Sequence, residues 1–248
     1  MMKRSLHCFV AMLLPLLAFG AQANAAEPGV AGCEARNLDF GDKAVGWKHV
    51  PLSKLKRDTV YSKVKEDGHT VLRASADRSA SVYAAFLNPP LRVPTSLSWR
   101  WKTKALVPGA DNRDKKREDA PLRVLVAFDG DASGLPAAQQ SQAKRTKTIA
   151  GQSLPYATLM YIWSEQVPVN TVIPSAHTSQ LKMLVVSSGT KGLGSWQSLQ
   201  RKLADDYRLA FGAEPGRVLG VGVMTDTDNT GAKAVGRYAD IRLDCAGE

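Results

Sequence analysis

The sequence is poor in the residues that most often carry chemistry. It has four histidines and three cysteines in 248 residues. None of His49, His69 and His177 stands at metal-ligand spacing from another His or Cys, which argues against a zinc centre. No Gly-rich phosphate loop and no Gly-x-Ser-x-Gly elbow is present, so nucleotide hydrolysis and elbow-type serine hydrolysis lose their usual signatures. No nucleic-acid-binding motif and no internal repeat is found. Beyond residue 25 no apolar run approaches the roughly 20 residues that a membrane helix needs.

What is present begins with an export signal. Lys3 and Arg4 precede an apolar run from Ser5 to Gly20, and Ala23-Asn24-Ala25 supplies a small-x-small cleavage site. Residues 1–25 therefore read as a signal peptide and 26–248 as a single domain, placing the protein in the periplasm or the medium. Without Lys3 and Arg4, 31 basic residues face 23 acidic ones, a surplus of +8. That balance favours an anionic partner, although many exported proteins are simply basic.

Cleavage leaves two cysteines, Cys33 and Cys245, at the ends of the mature chain. An even count in an oxidising compartment predicts one disulfide between them. The alternative is a lipid-anchor cysteine in Val30-Ala31-Gly32-Cys33, against which Glu27 and Pro28 part that stretch from the apolar run.

Strand patterns recur at Asp58–Lys65, Thr70–Ser75, Ser81–Phe86, Leu97–Thr103, Leu122–Asp129, Tyr156–Trp163, Leu181–Val186, Arg217–Thr225 and Val235–Asp244. Leu97, Trp99 and Trp101 alternate with Ser98, Arg100 and Lys102, as in a sheet with one buried face. Tyr156–Trp163 is apolar on both faces and reads as a central strand. In Val235–Asp244, the same alternation turns Ala239, Ile241 and Leu243 inward and Tyr238, Asp240 and Arg242 outward. One helix is expected over Trp196–Phe211, with Ser195 as N-cap and Gly212 as stop, and part of Ala137–Thr148 offers a second short one. Two long polar connections, Pro108–Pro121 and Gly130–Leu154, join strands. The fold class is all-β, a jelly-roll-like β-sandwich of about ten strands with one amphipathic helix.

Three groups of residues point to function. Arg100, Lys102 and Arg123 alternate against apolar neighbours and would form a positive groove if their faces meet, where Arg and Lys pair with carboxylate or sulfate. Asp119, Arg123, Tyr161 and Asp240 would line a cleft if the protein cleaves polysaccharide, with Tyr238 an alternative base beside Arg123. Asp129 and Trp163 complete the candidate ligand contacts. The segment Asp226-Thr227-Asp228-Asn229-Thr230-Gly231 has oxygen-rich side chains that would suit calcium at Asp226, Asp228 and Asn229, or an Asx-type turn between two strands. No other cofactor is expected.

The closing Tyr238-Ala239-Asp240-Ile241-Arg242-Leu243 resembles the last strand of galactose-binding and concanavalin-like jelly rolls. More broadly, the chain resembles an exported bacterial family known as domain of unknown function 3047. The resemblance runs through Ser98-Trp99-Arg100-Trp101-Lys102, Asp119 to Val126, Leu159-Met160-Tyr161-Ile162-Trp163, Asp206-Tyr207-Arg208, Phe211-Gly212 and the Asp226–Gly231 turn. It implies a bacterial envelope protein and supplies no catalytic residues. The expected function is a non-catalytic binding module for an anionic polysaccharide or envelope component, with no nucleic-acid partner. The alternatives are a polysaccharide lyase or hydrolase, and an envelope scaffold that binds proteins through an exposed apolar patch.

Overall fold

The computed structural model describes residues 33–245, except 132, 134, 138–139, 142–154 and 177. The expected signal peptide, Val30–Gly32, His177 and most of the helix expected in Ala137–Thr148 lie outside the described residues.

Nine predicted strands are present, with shifted ends. They are β3 (Val60–Glu66), β4 (His69–Asp77), β5 (Ser81–Leu91), β6 (Ser96–Thr103), β7 (Ala120–Phe128), β8 (Ala157–Ser164), β10 (Leu181–Ser188), β12 (Val218–Asp226) and β13 (Lys233–Asp244). Four short strands join them: β1 (Arg36–Asn37), β2 (Lys48–Pro51), β9 (Val172–Pro174) and β11 (Gln197–Arg201). They form a six-stranded sheet ordered β11-β6-β13-β4-β3, with β1 on β13, and a seven-stranded sheet ordered β2-β5-β12-β7-β8-β10-β9. The pairings are antiparallel apart from β8 with β10. This is the jelly-roll-like β-sandwich that the alternation predicts.

The core lies between the two sheets, because period-two strands each present one apolar face. Leu97, Trp99 and Trp101 of β6 meet Leu122, Val124, Val126 and Phe128 of β7 and Leu159, Tyr161 and Trp163 of β8 in one buried cluster. Trp99 lies 5.1 Å from Tyr161 and Trp101 6.3 Å from Trp163, ring centre to ring centre. Cys33 and Cys245 are joined by a disulfide, as their even count predicts.

Two local expectations are corrected. The segment predicted as one helix is a strand followed by a helix. Gln197–Arg201 pairs antiparallel with β6, and α1 spans only Leu203–Phe211. Lys202, and not Ser195, stands at its N-cap, while Gly212 ends it in the left-handed region with its N–H on the Arg208 carbonyl. Leu203 and Tyr207 bury the apolar side of α1, with Tyr207 4.8 Å from Phe128. The second correction is Tyr238. It is fully buried, not outward, because a β-bulge between Ala239 and Arg242 shifts the alternation by one residue. Asp240, at φ 52°, sits in that bulge and takes the outward place.

Candidate functional site

The outer face of the six-stranded sheet carries a group of cations arranged by register. Arg237 of β13 stands opposite Lys102 of β6 on one side and Arg73 of β4 on the other. Directly paired residues of an antiparallel sheet share a face, so these three side chains point outward together. Glu66 of β3 accepts from Lys102 Nζ at 2.9 Å and also from Arg237. Partial burial works to raise the Glu66 carboxyl, but the hydrogen bonds from Lys102 and Arg237 outweigh it and hold its pKa below the ordinary value. Arg100 pairs with Asp240 in the bulge.

Trp196 lies over these cations. Its ring centre is 4.6 Å from Lys102 Nζ and 5.2 Å from the Arg100 guanidinium carbon, within cation–π range. The ring is half-buried and sits just before β11, whose Ser198 is opposite Arg100. Sequence reasoning misses Trp196 because it assigns that stretch to a helix. It also leaves out Glu66 and Arg73, whose place is set by pairing between distant strands.

The predicted residues do not converge on one groove. Arg100, Lys102 and Asp240 share the outer face just described. Arg123 projects from the opposite outer face, on the seven-stranded sheet, and is 2% exposed. The loop before β7 folds over it. Its guanidinium is bidentate to Asp226, with Nε to Oδ1 at 2.7 Å and Nη2 to Oδ2 at 2.9 Å. It also donates to the Glu118 carbonyl, and Nη1 lies 3.0 and 3.3 Å from the Met160 and Met183 sulfurs. Burial pushes the Asp226 carboxyl up to about 6, against the lowering effect of Arg123.

Asp119 is buried beside this pair and accepts from Asn229 N at 3.1 Å and from Thr230 N and Oγ1 at 2.7 and 2.6 Å. Carboxylate oxygens of Asp119, Asp226 and Asp228 lie within 4.8 Å of one another. Lys56 meets Asp228 at 2.5 Å, and the Asn229 side chain donates to the Lys115 carbonyl. The turn is thus tied to the loop before β7, through the Asp119 carboxylate and the Lys115 carbonyl, with Lys56 and Arg123 as counter-charges. It holds the residues that the sequence offers to calcium.

The aromatic candidates belong to the interior. Tyr161 is 0% and Trp163 1% exposed. Tyr161 donates to Asp206 at 3.0 Å and Trp163 to the Gly189 carbonyl at 2.9 Å. Burial raises the Tyr161 hydroxyl well above its usual value. Tyr238 donates to the Met224 carbonyl at 2.6 Å and is 2.9 Å from Thr225 Oγ1. Burial likewise raises its pKa.

Asp129 stands elsewhere again, at the rim of the seven-stranded sheet, bound to Arg217 at 2.7 Å. With Arg92, Val93 and Pro215 it borders a shallow depression of about 460 Å³. Gly216 is required there, because an added Cβ would lie 2.1 Å from the Asp129 carbonyl oxygen.

The chain is an all-β sandwich with a charged, aromatic-capped outer face on one sheet. Residues 45–242 match the family described as "Protein of unknown function (DUF3047)", and the chain belongs to that family. No curated protein matches the chain. Among solved structures, the chain is similar to the family 11 carbohydrate-binding module from Clostridium thermocellum in complex with a beta-1,3-1,4-mixed-linked tetrasaccharide. The two are 10% identical, the match covers 88% of this chain and 99% of that one, and the TM-score is 0.45. The xyloglucanase domain of NopAA from Sinorhizobium fredii, in complex with cellobiose, is 9% identical over 79% of this chain and 91% of that one, at a TM-score of 0.40.

Proposed function

We propose that this protein is an exported, non-catalytic module that binds an anionic glycan on the outer face of its six-stranded sheet. The observation that carries the reading is the Trp196 ring placed over Lys102 and Arg100. An indole offers a flat apolar surface to the C–H face of a sugar ring. The cations beneath it supply charge-assisted hydrogen bonds to carboxylate or sulfate. Arg73, Arg100, Lys102 and Arg237 face two carboxylates, Glu66 and Asp240, so the face keeps a net charge of +2. The Cys33–Cys245 bridge supports a location outside the cytoplasm, in periplasm or medium.

The catalytic alternative finds less support. Asp119 is buried in the loop that covers Arg123, Tyr161 is in the core and Asp240 is on the far face, so these four residues do not share a cleft. The scaffold alternative would need a contiguous apolar patch. Among the described residues the exposed large apolar side chains are Leu52 and Leu55 in the loop after β2, Val60 on β3, Phe86 on β5, Val169 before β9 and Leu209 on α1. We take the Asp226–Asn229 turn as structural, because its carboxylates already have Arg123 and Lys56 as counter-charges.

Affinity electrophoresis through gels containing polygalacturonate, alginate or neutral xyloglucan tests the reading. Retardation on the acidic polymers that is lost in Trp196→Ala, with the circular dichroism spectrum unchanged, is the expected result. Free migration of the wild-type protein through all three gels overturns it.

A further inference from the structure

We infer that the bound chain runs across the strands, along the row Trp196, Lys102, Arg237 and Arg73, and that it is a linear polyanion charged on successive units. This inference rests on the glycan-binding reading above. The row follows from register. Arg237 is paired with Lys102 on β6 and with Arg73 on β4, and Trp196 lies over Lys102 from the start of β11. Adjacent strands are about 4.8 Å apart, so four such positions extend over about 14 Å.

Charge is concentrated in that direction and not along the strands. On β4 the alternate positions beside Arg73 are Val71, which is buried, and Ser75, and on β13 the one before Arg237 is Val235. On β6 the next outward residue is Arg100, which Asp240 already neutralises. Like charges directly opposite one another destabilise a sheet. Glu66 relieves two of the three cations, Lys102 and Arg237. Arg73 has no ion-pair partner among the described residues. A ligand with regularly spaced anions supplies what this row lacks. A rod of uronate or sulfated sugars fits the row better than a membrane does, because Lys102, Arg237 and Arg73 stand in single file across β6, β13 and β4.

Calorimetry with an oligogalacturonate length series, from dimer to octamer, tests this on the full protein. For the wild type, affinity rises with length until the oligomer spans the row, and then levels off. Arg73→Ala weakens the long oligomers about tenfold, the scale of one charge-assisted contact, and leaves the dimer unchanged. Arg73→Lys keeps most of the affinity, and thermal melts of both variants check that the fold is intact. Equal affinity for long oligomers with and without Arg73, or equal affinity for neutral gluco-oligomers, overturns the inference and leaves glycan binding standing. No binding of any oligomer overturns the glycan reading itself. Arg73-dependent retention of duplex DNA or of phosphatidylserine vesicles, without retention of oligogalacturonate, overturns both.

Discussion

Arg123 and Asp226 form a bidentate ion pair sealed from solvent, with side chains 3% and 4% exposed. They come from neighbouring strands of the seven-stranded sheet, where Arg123 is paired with Met224. Breaking such a pair leaves one charge buried without its counterpart. Arg123→Met and Asp226→Leu are each expected to destabilise by about 3–5 kcal/mol, and the double replacement by clearly less than their sum. Urea unfolding of the three variants measures this. Where Arg123→Met folds, its glycan binding should match the wild type, since this cation is not on the ligand face.

Tyr238 gives a similar contrast. Its hydroxyl serves the Met224 carbonyl and Thr225 inside the core. Tyr238→Phe removes the donor to the Met224 carbonyl and the acceptor for the Arg123 N–H and is expected to lower stability by about 1–3 kcal/mol with no change in affinity for ligand. Chemical unfolding and calorimetry on the same variant separate the two readouts.

The disulfide closes a sequence separation of 212 residues. In the chain-entropy account a loop of that size stabilises by about 5 kcal/mol. Reduction, or Cys33→Ser with Cys245→Ser, should lower the unfolding midpoint by a corresponding margin, measured in denaturant with and without reductant.

Asp111 provides a pH test in the loop that precedes β7. Its hydrogen bonds to the Arg113 side chain hold the carboxyl down to about 2. Because the folded value is depressed, the stabilisation is complete above the ordinary carboxylate value of about 4 and is lost as pH falls through about 2. A carbon-detected titration of Asp111 should show the low midpoint, and Arg113→Gln should move it up.

Much of the sandwich was legible because strand alternation is local. Leu97, Trp99 and Trp101 face the core and Arg100 and Lys102 face out, as their spacing says. Three parts were not legible. The bulge at Ala239–Arg242 inverts the facing of Tyr238, and a period-two pattern contains no mark of it. Gln197–Arg201 is a strand only because β6 offers it an edge, a partner nearly a hundred residues away, so its own sequence reads as the start of a helix. Arg123 points out of its sheet as expected, but that sheet is not the one bearing Arg100 and Lys102, and a loop covers it. The cationic row needed knowledge of which strands adjoin. For that reason the sequence does not single out Arg73 and Glu66, and Trp196 sits in a stretch whose local pattern reads as helix.

The most direct test is to map where an acidic oligosaccharide touches the protein. Amide chemical shifts recorded during titration with an oligogalacturonate should move on β11, β6, β13 and β4, with the Trp196 indole among the largest changes. Shifts confined to the seven-stranded sheet, or to the depression beside Arg92 and Arg217, would contradict the account.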